Sequence, residues 1–265
     1  MTEVRLLPHL RFIEVWRTDH VVTIRIARAE VMNALHPEAH QELAQAFDHY
    51  AQDPDLRVAI ITGTGDKAFC TGTDLKHLAA TGEHHTPESG FAGLTARFDL
   101  DKPVVAMVNG AAVGGGLEIV LACDLAIAVD NATFGFPEPR VGLAAMGGGL
   151  HRLVRHIPHK LAMSLILTGR RIDASEALRL GVLNAVVPPS QLEDTTRAWV
   201  EQILECAPLA VQASKAVARD SMRYPSLGEA IDASYQAAEI MERSGDAREG
   251  PLAFAEKRKP RWSGR

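Results

Sequence analysis

The sequence predicts an α/β fold over roughly its first two-thirds and an all-helical remainder. Three observations predict this. Short apolar, β-branched runs recur up to Val129, helix-like stretches lie between them, and from about Leu161 onward helical patterns dominate. No tandem repeat at a fixed period interrupts the order. We take residues 1–200 as the core and 201–265 as a C-terminal helical region.

The elements follow in chain order. His20 to Ala27 contains VVTIRIA, alternating and β-branched, and predicts a strand. His36 to Tyr50 predicts a helix, with Pro37 suited to its first turn. Val58 to Thr62 (VAIIT) has the unbroken apolar character of a buried parallel strand. A helix begins at Leu75 to Leu78, and the polar stretch Gly82 to Gly93, broken by Pro and Gly, predicts a loop. Val104 to Val108 is a third strand, Gly114 to Ala122 turns into a helix, and Leu125 to Val129 is a fourth strand. Then come helices at Leu161–Leu167, Ser175–Leu180, Gln191–Cys206, Leu209–Arg223 and Leu227–Met241. Asp173 is placed to cap the second of these, with Glu176 three residues on.

Composition narrows the function classes. With 46% hydrophobic and 23% charged residues, the 265-residue chain can bury an ordinary globular core. A formal net charge of −5 argues against nucleic acid as a partner, because phosphate neutralisation needs clustered Lys and Arg. The one basic cluster is Lys257, Arg258, Lys259, Arg261 and Arg265, read as a solvated tail or subunit contact, or as help in holding an anionic ligand. Cys70, Cys123 and Cys206 lack CxxC spacing, so no zinc site is expected and a reducing compartment is. Apolar stretches such as Ile119 to Ala122 are too short for a bilayer, and the start lacks a signal-peptide pattern. The expectation is a cytoplasmic protein with no membrane partner. The histidines at 84, 85, 151, 156 and 159 do not match metal-ligand spacings, and no serine sits in a nucleophile elbow.

Three segments carry the chemistry. Lys67 to Lys76 (KAFCTGTDLK) runs from a strand end through a glycine bend into a helix-like run, where backbone N–H groups can be exposed. An ordinary loop between strand and helix would look the same. Asn109 to Glu118 (NGAAVGGGLE) places three consecutive glycines before an apolar helix. Each costs on the order of 0.5–1 kcal/mol relative to alanine in a regular element, so some compensation is expected. A helix N-terminus with free N–H groups favours developing negative charge, although tight helix–sheet packing would also explain the run. Phe134 to Arg140 (FGFPEPR) flanks Glu138 with Pro137 and Pro139, which predicts a stiff, non-helical backbone there.

Together the segments say more than each alone. Parallel strands would deliver the bends at Thr71–Thr73 and Gly114–Gly116 to one sheet edge, where α/β ligands bind. Glu118 then lies in the first helical turn beside the bend, and Glu138 follows after one more strand. Two carboxyls beside a site of low dielectric can hold a water between an acid and a base, with burial and mutual repulsion raising and splitting their pKa values.

FCTGTDLKHL, VNGAAVGGGLEIVLACDLAIA and FGFPEPRVGL, in this order, resemble the enoyl-CoA hydratase/isomerase (crotonase) family. LTGRRIDASEALRLGVLNAVV and EGPLAFAEKR extend the similarity from about Val21 to the C-terminus. The resemblance implies a crotonase-like spiral of ββα units, followed by helices that build homotrimers, commonly paired as homohexamers. It implies an acyl-CoA thioester substrate whose oxygen is held by the Thr73 and Gly115 amides. Thr71, Gly72, Thr73, Asp74, Leu75 and Lys76 would run along the CoA, joined by Gly115, Arg28, Phe254 and Lys257. Glu118 and Glu138 match the two hydratase carboxyls, so syn hydration of a trans-2-enoyl-CoA is expected, with no metal or redox cofactor.

Several positions depart from the family pattern. Ala27, Ala29 and Met32 stand where the first segment usually carries other residues, with Arg28 as the substitute basic group; Thr73 replaces an alanine. Pro139 and the run LAAMGGGLHRL suggest an outlying subgroup, and the tail resembles carnitinyl-CoA dehydratases. Isomerisation, carnitinyl-type dehydration and thioester hydrolysis are the rival reactions. A non-catalytic acyl-CoA or RNA binder is a remote one, favoured only by the basic tail. Asp74 and Asp124 read better as cap or surface groups. The Gly82–Gly93 loop, Phe98, Phe136 and Met146 are expected to line the acyl pocket.

Overall fold

Two sheets organise the chain, and the edge of the smaller one carries the site. The computed structural model describes residues 3–265. The larger sheet has seven strands in the spatial order Val4–Leu6 (β1), Ile13–Thr18 (β2), Val21–Ile26 (β3), Val58–Gly63 (β4), Val104–Val108 (β6), Leu125–Val129 (β8) and Ala185–Val187 (β11). The smaller has four, in the order Arg171–Asp173 (β10), Thr133–Gly135 (β9), Ala111–Val113 (β7) and Ala68–Cys70 (β5). The first three strands of the larger sheet pair antiparallel, and β3 onward pair parallel. In the smaller sheet β5, β7 and β9 are parallel, and β10 closes the edge antiparallel. The strands predicted at 20–27, 58–62, 104–108 and 125–129 are β3, β4, β6 and β8.

The core follows from the patterns. Strands β4 and β6 are buried along most of their length, as unbroken apolar runs require. Helix Pro37–Gln52 (α1) turns Leu43, Phe47 and Tyr50 inward, and Tyr50 donates its hydroxyl to the Pro103 carbonyl at 2.7 Å. Buried hydroxyls of this kind are stabilised only when paired. Helix Leu75–Thr81 (α2) starts on Asp74, whose side chain accepts from the His77 amide, and ends on Gly82. Helix Gly115–Ala122 (α3) follows β7 directly. Seven of its eight residues are buried, which explains its apolar sequence.

The remaining helices are Gly149–His156 (α4), His159–Thr168 (α5), Ala174–Arg179 (α6), Leu192–Leu204 (α7), Pro208–Ser221 (α8), Leu227–Asp232 (α9), Gln236–Arg243 (α10) and Asp246–Ala255 (α11). Asp173 caps α6 by accepting the Glu176 amide at 2.7 Å, as its spacing predicts.

Three expectations need correction. The last third is not purely helical: β10 and β11 are three-residue strands that complete the two sheets, too short to show alternation. The single helix expected over Leu227–Met241 is two helices, α9 and α10. There Tyr235 donates its hydroxyl to the Ala230 carbonyl at 2.7 Å, taking the acceptor that a continuing helix would use, and Ala233 is extended. Glu138 is not in a non-helical segment; it opens a 3-10 turn, Glu138–Val141. Proline in a first helical turn gives up no intrahelical bond, so Pro139 fits there.

Candidate active site

Strands β5 and β7 are parallel neighbours, so the bends that follow them leave the sheet side by side. A Cβ built on Gly72 would lie 2.9 Å from the Gly115 nitrogen, so the two bends touch backbone to backbone. Leu35 supports the first bend from behind: its amide donates to the Gly72 carbonyl at 2.8 Å, and its carbonyl accepts from the Asp74 amide at 2.9 Å. The Thr73 amide between them points to the other side of this short parallel bridge. The Gly115 amide is the first of α3, where helix N–H groups have no partner within the helix. Two backbone donors therefore converge beside a cavity of about 1380 Å³ that Thr71, Gly72, Thr73, Gly114 and Gly115 help to line.

The glycine run has a steric cause. A Cβ at Gly116 would collide with the Cys70 carbonyl oxygen, so α3 sits on the end of β5 at a distance only glycine allows. Gly114 has φ +57, and a Cβ there would lie 2.9 Å from Glu138 Oε1. The entropy cost anticipated from sequence is thus offset by tight docking on the sheet and by bringing the first helical amide to the cavity wall.

Glu118 and Glu138 both line this cavity. Glu118 is 3% exposed and accepts the Gly149 amide at 2.8 Å. Burial pushes its carboxyl up to about 7; the Glu138 charge pushes the same way, while the Gly149 and Gly147 amides and the Arg152 guanidinium pull it down. Burial also raises Glu138 above the ordinary carboxylate range. Its Oε2 is buried and has no hydrogen-bond partner among the described residues. Because half-buried Glu138 lines the cavity and carries an oxygen with no competing hydrogen bond, its carboxyl can turn to exchange a proton with something bound there.

The other predicted residues divide. Leu75, Phe98 and Met146 line the cavity, and so does His84 from the 82–93 loop. Phe136 does not: it is 1% exposed and packs beneath Gly149, whose added Cβ would strike its ring. Arg28 and Asp74 are buried together as an ion pair at 3.1 Å, and Arg28 Nη1 also donates to the Ala34 carbonyl. They brace the first bend from outside the cavity lining. Lys76, Phe254 and Lys257 also lie outside that lining, and Phe254 is 87% exposed.

Sequence reasoning expected the 82–93 loop at the pocket without singling out Phe91, and gave no site role to Gly147, Gly148 or Arg152; all four line the cavity, and Gly149 reaches the site through its amide on Glu118. Arg152 Nη2 donates to the Thr95 carbonyl at 2.7 Å, tying α4 to the loop opposite. The run MGGGLHR, read in the sequence only as the mark of an outlying subgroup, is the signal that could have placed the glycines and Arg152. A second triple glycine beside a helix start poses the same steric question as the first.

Among the described residues no cluster of His, Cys, Asp and Glu is arranged to hold a metal ion. No helix there is long and apolar enough to cross a membrane.

The enoyl-CoA hydratase/isomerase family model matches residues 17–265. A carnitinyl-CoA dehydratase of Proteus mirabilis (strain HI4320) is 44% identical over 248 residues, covering 88% of this chain and 91% of that protein. Among solved structures, the enoyl-CoA hydratase EchA1 from Mycobacterium marinum superposes with a TM-score of 0.90 at 39% identity, covering 96% of this chain and 99% of that one. A carnitinyl-CoA hydratase from Mycobacterium avium gives 0.76 at 42% identity, with coverage of 96% and 99%.

Proposed function

The chain belongs to the enoyl-CoA hydratase/isomerase family, and on that premise we propose that Glu118 and Glu138 add water across the double bond of a trans-2-enoyl-CoA. The fold is the crotonase fold, and the chain is an enzyme of hydro-lyase type acting on an acyl-CoA thioester. The observation that carries the assignment of roles is the shared cavity. Two carboxyls with raised pKa values and two convergent backbone amides line one wall system.

The thioester oxygen accepts from the Thr73 and Gly115 amides. Ionised Glu118 takes a proton from water as the water oxygen bonds to C3. The C2–C3 π pair moves toward the thioester, and its oxygen gains charge as an enolate. One such donor contributes roughly 2.7–4 kcal/mol to lowering a barrier of this kind. Protonated Glu138 then delivers its proton to C2, giving the 3-hydroxyacyl-CoA, with both additions on the face that presents the carboxyls. Proton transfer from Glu118 back to Glu138 restores the starting state. These steps use carboxyls and amides alone and call for no cofactor beyond the CoA of the substrate.

Dehydration of a 3-hydroxyacyl-CoA is the same path reversed. Identity to carnitinyl-CoA dehydratases favours a second reading in which carnitinyl-CoA is the substrate. A panel of crotonyl-CoA, longer enoyl-CoAs and crotonobetainyl-CoA, followed by loss of enoyl absorbance, ranks the two. The roles themselves are tested by Glu118→Gln and Glu138→Gln. Each should lower kcat by roughly 10²–10⁴-fold, and wild-type hydration in both would remove the assignment.

The proposal extends to assembly. Met222, Leu227, Ile231, Ile240, Leu252 and Phe254 leave large apolar side chains exposed on and beside the C-terminal helices. Burying them between copies in a homotrimer or homohexamer would remove that surface from water. Phe254 and Lys257 would then meet CoA from a neighbouring subunit, because they lie away from their own chain's cavity.

A further inference from the structure

His40 is a buried histidine that the reaction scheme leaves without a task. It sits on the inner face of α1, 3% exposed. Its Nδ1 accepts the Ala92 amide at 3.0 Å, which puts the ring proton on Nε2. Its ring meets the Phe91 ring edge to face, with centroids 4.5 Å apart. Burial first, and the nearby His84, His36 and His85 next, push it down to about 3, so it stays a neutral acceptor over the working pH range.

The segment it holds is unusual. Phe91–Gly93 is a short 3-10 turn in which Ala92 has φ +56 and is wholly buried. A left-handed alanine costs roughly 1–2 kcal/mol, so the surroundings must enforce it. Two neighbours do. A Cβ at Gly93 would run into the Ala44 backbone of α1, and the Ala92 amide is tied to His40. The turn in turn holds Phe91, whose ring fills the place where a Cβ on Gly115 would be. The Phe91 Cβ also lies 3.0 Å from a Cβ built on Gly147, beside the Glu118 carboxylate.

We propose that His40 is a positioning residue: by accepting the Ala92 amide it fixes Phe91 on Gly115, and so fixes the Gly115 N–H against the acyl oxygen. The inference rests on the reading of Gly115 as a donor to the thioester. Leucine at 40 keeps bulk but leaves a buried N–H unpaired, at a cost the turn can relieve by relaxing. Phe91 then leaves its place and the Gly115 donor loses its direction. Misplacement by about 1 Å can cost 10²-fold in rate. The residues read as running along the CoA, Thr71 to Lys76, belong to the other bend and not to this turn, so binding should survive.

The experiment is crotonyl-CoA hydration by full-length wild type, Glu118→Gln, His40→Leu and His40→Asn. An asparagine oxygen can take the place of Nδ1. The expected result is a kcat in His40→Leu lowered roughly 10- to 100-fold with KM within about twofold, and recovery of most of that kcat in His40→Asn. Wild-type kcat in His40→Leu, or a rise in KM at unchanged kcat, overturns the proposal. Equal losses in Leu and Asn variants also overturn it, because they tie the effect to ring packing and not to the acceptor. Should His40→Leu fail to fold, His40→Asn against His40→Gln decides: the longer amide misses the Nδ1 position, and equal kcat in the two overturns the proposal. Wild-type turnover in Glu118→Gln would instead sink the hydratase reading itself. A normal His40→Leu beside an inactive Glu118→Gln removes the positioning role alone.

Discussion

The wall that carries Glu118 and the wall that carries Glu138 are built differently. Glu118 stands on a helix docked on a sheet, nearly out of reach of solvent, with the Gly149 amide on one oxygen and a second glycine turn wrapped around it. Glu138 opens a single 3-10 turn at the surface side, half-buried, with Oε2 left without a partner among the described residues. The contrast separates two requirements of acid–base chemistry. A water-activating base gains from fixed orientation and from amides that favour its ionised form. An acid that must reach carbon gains from an oxygen not already committed.

The strongest way to break the contrast is to push the Glu118 wall off its sheet. Gly116→Ala would set a methyl against the Cys70 carbonyl, a backbone atom of β5 that cannot swing aside. Overpacking of this kind costs roughly 1–3 kcal/mol or more. The expected outcome is a large drop in soluble yield and midpoint of denaturation, with turnover lost. A variant with the wild-type midpoint and wild-type kcat would show that α3 can slide freely, and that Glu118 is not rigidly held.

A milder probe acts on the carboxylate alone. A Cβ on Gly147 would meet Glu118 Oε2, the end of a side chain that can rotate. Gly147→Ala should therefore fold and shift the carboxylate away from the amides of 147 and 149. Those amides favour the ionised form, so their loss raises the Glu118 pKa further. In the wild type, activity should fall as pH drops through about 7, where Glu118 takes up its proton. In Gly147→Ala that acid limb should move upward by about one pH unit, the order expected from weakening one charge-assisted hydrogen bond. At neutral pH kcat falls, and the deficit relative to the wild type shrinks as pH rises through the shifted limb. An unmoved limb would assign the base role to another group.

Much of this was legible in the residues, and the reasons differ by region. Strands β4, β6 and β8 announce themselves because strands buried on both faces must be apolar throughout. The bends at 71–73 and 114–116 announce themselves because close backbone contact leaves only small residues. Phe91 gave no such signal. One aromatic in a polar, glycine-rich stretch reads as loop, and its role depends on where α1 places His40 more than fifty positions earlier. Phe136 misled in the opposite direction, since an aromatic two residues before Glu138 can point into the cavity or beneath it. The break between α9 and α10 was also hidden, because it comes from a side-chain hydroxyl and not from a proline or glycine.

The gentlest test concerns the Glu138 wall. Pro139 is the second residue of the 3-10 turn and lies exposed. Its ring narrows the unfolded ensemble, and replacing such a proline by alanine costs about 0.4–1 kcal/mol. The turn has other supports: the Glu138 carbonyl accepts both the Gly142 amide and the Leu143 amide, the latter at 2.9 Å. Gly114 also leaves room for the Glu138 carboxyl where a side chain would crowd it. Pro139→Ala should therefore lower stability by no more than about 1 kcal/mol, read from a denaturation midpoint, and leave kcat within about twofold. A fall in kcat beyond tenfold at near-normal stability would mean that the proline ring aims the acid. The Glu138 wall would then be as rigidly specified as the Glu118 wall, and the division between a fixed base and a loosely held acid would fail.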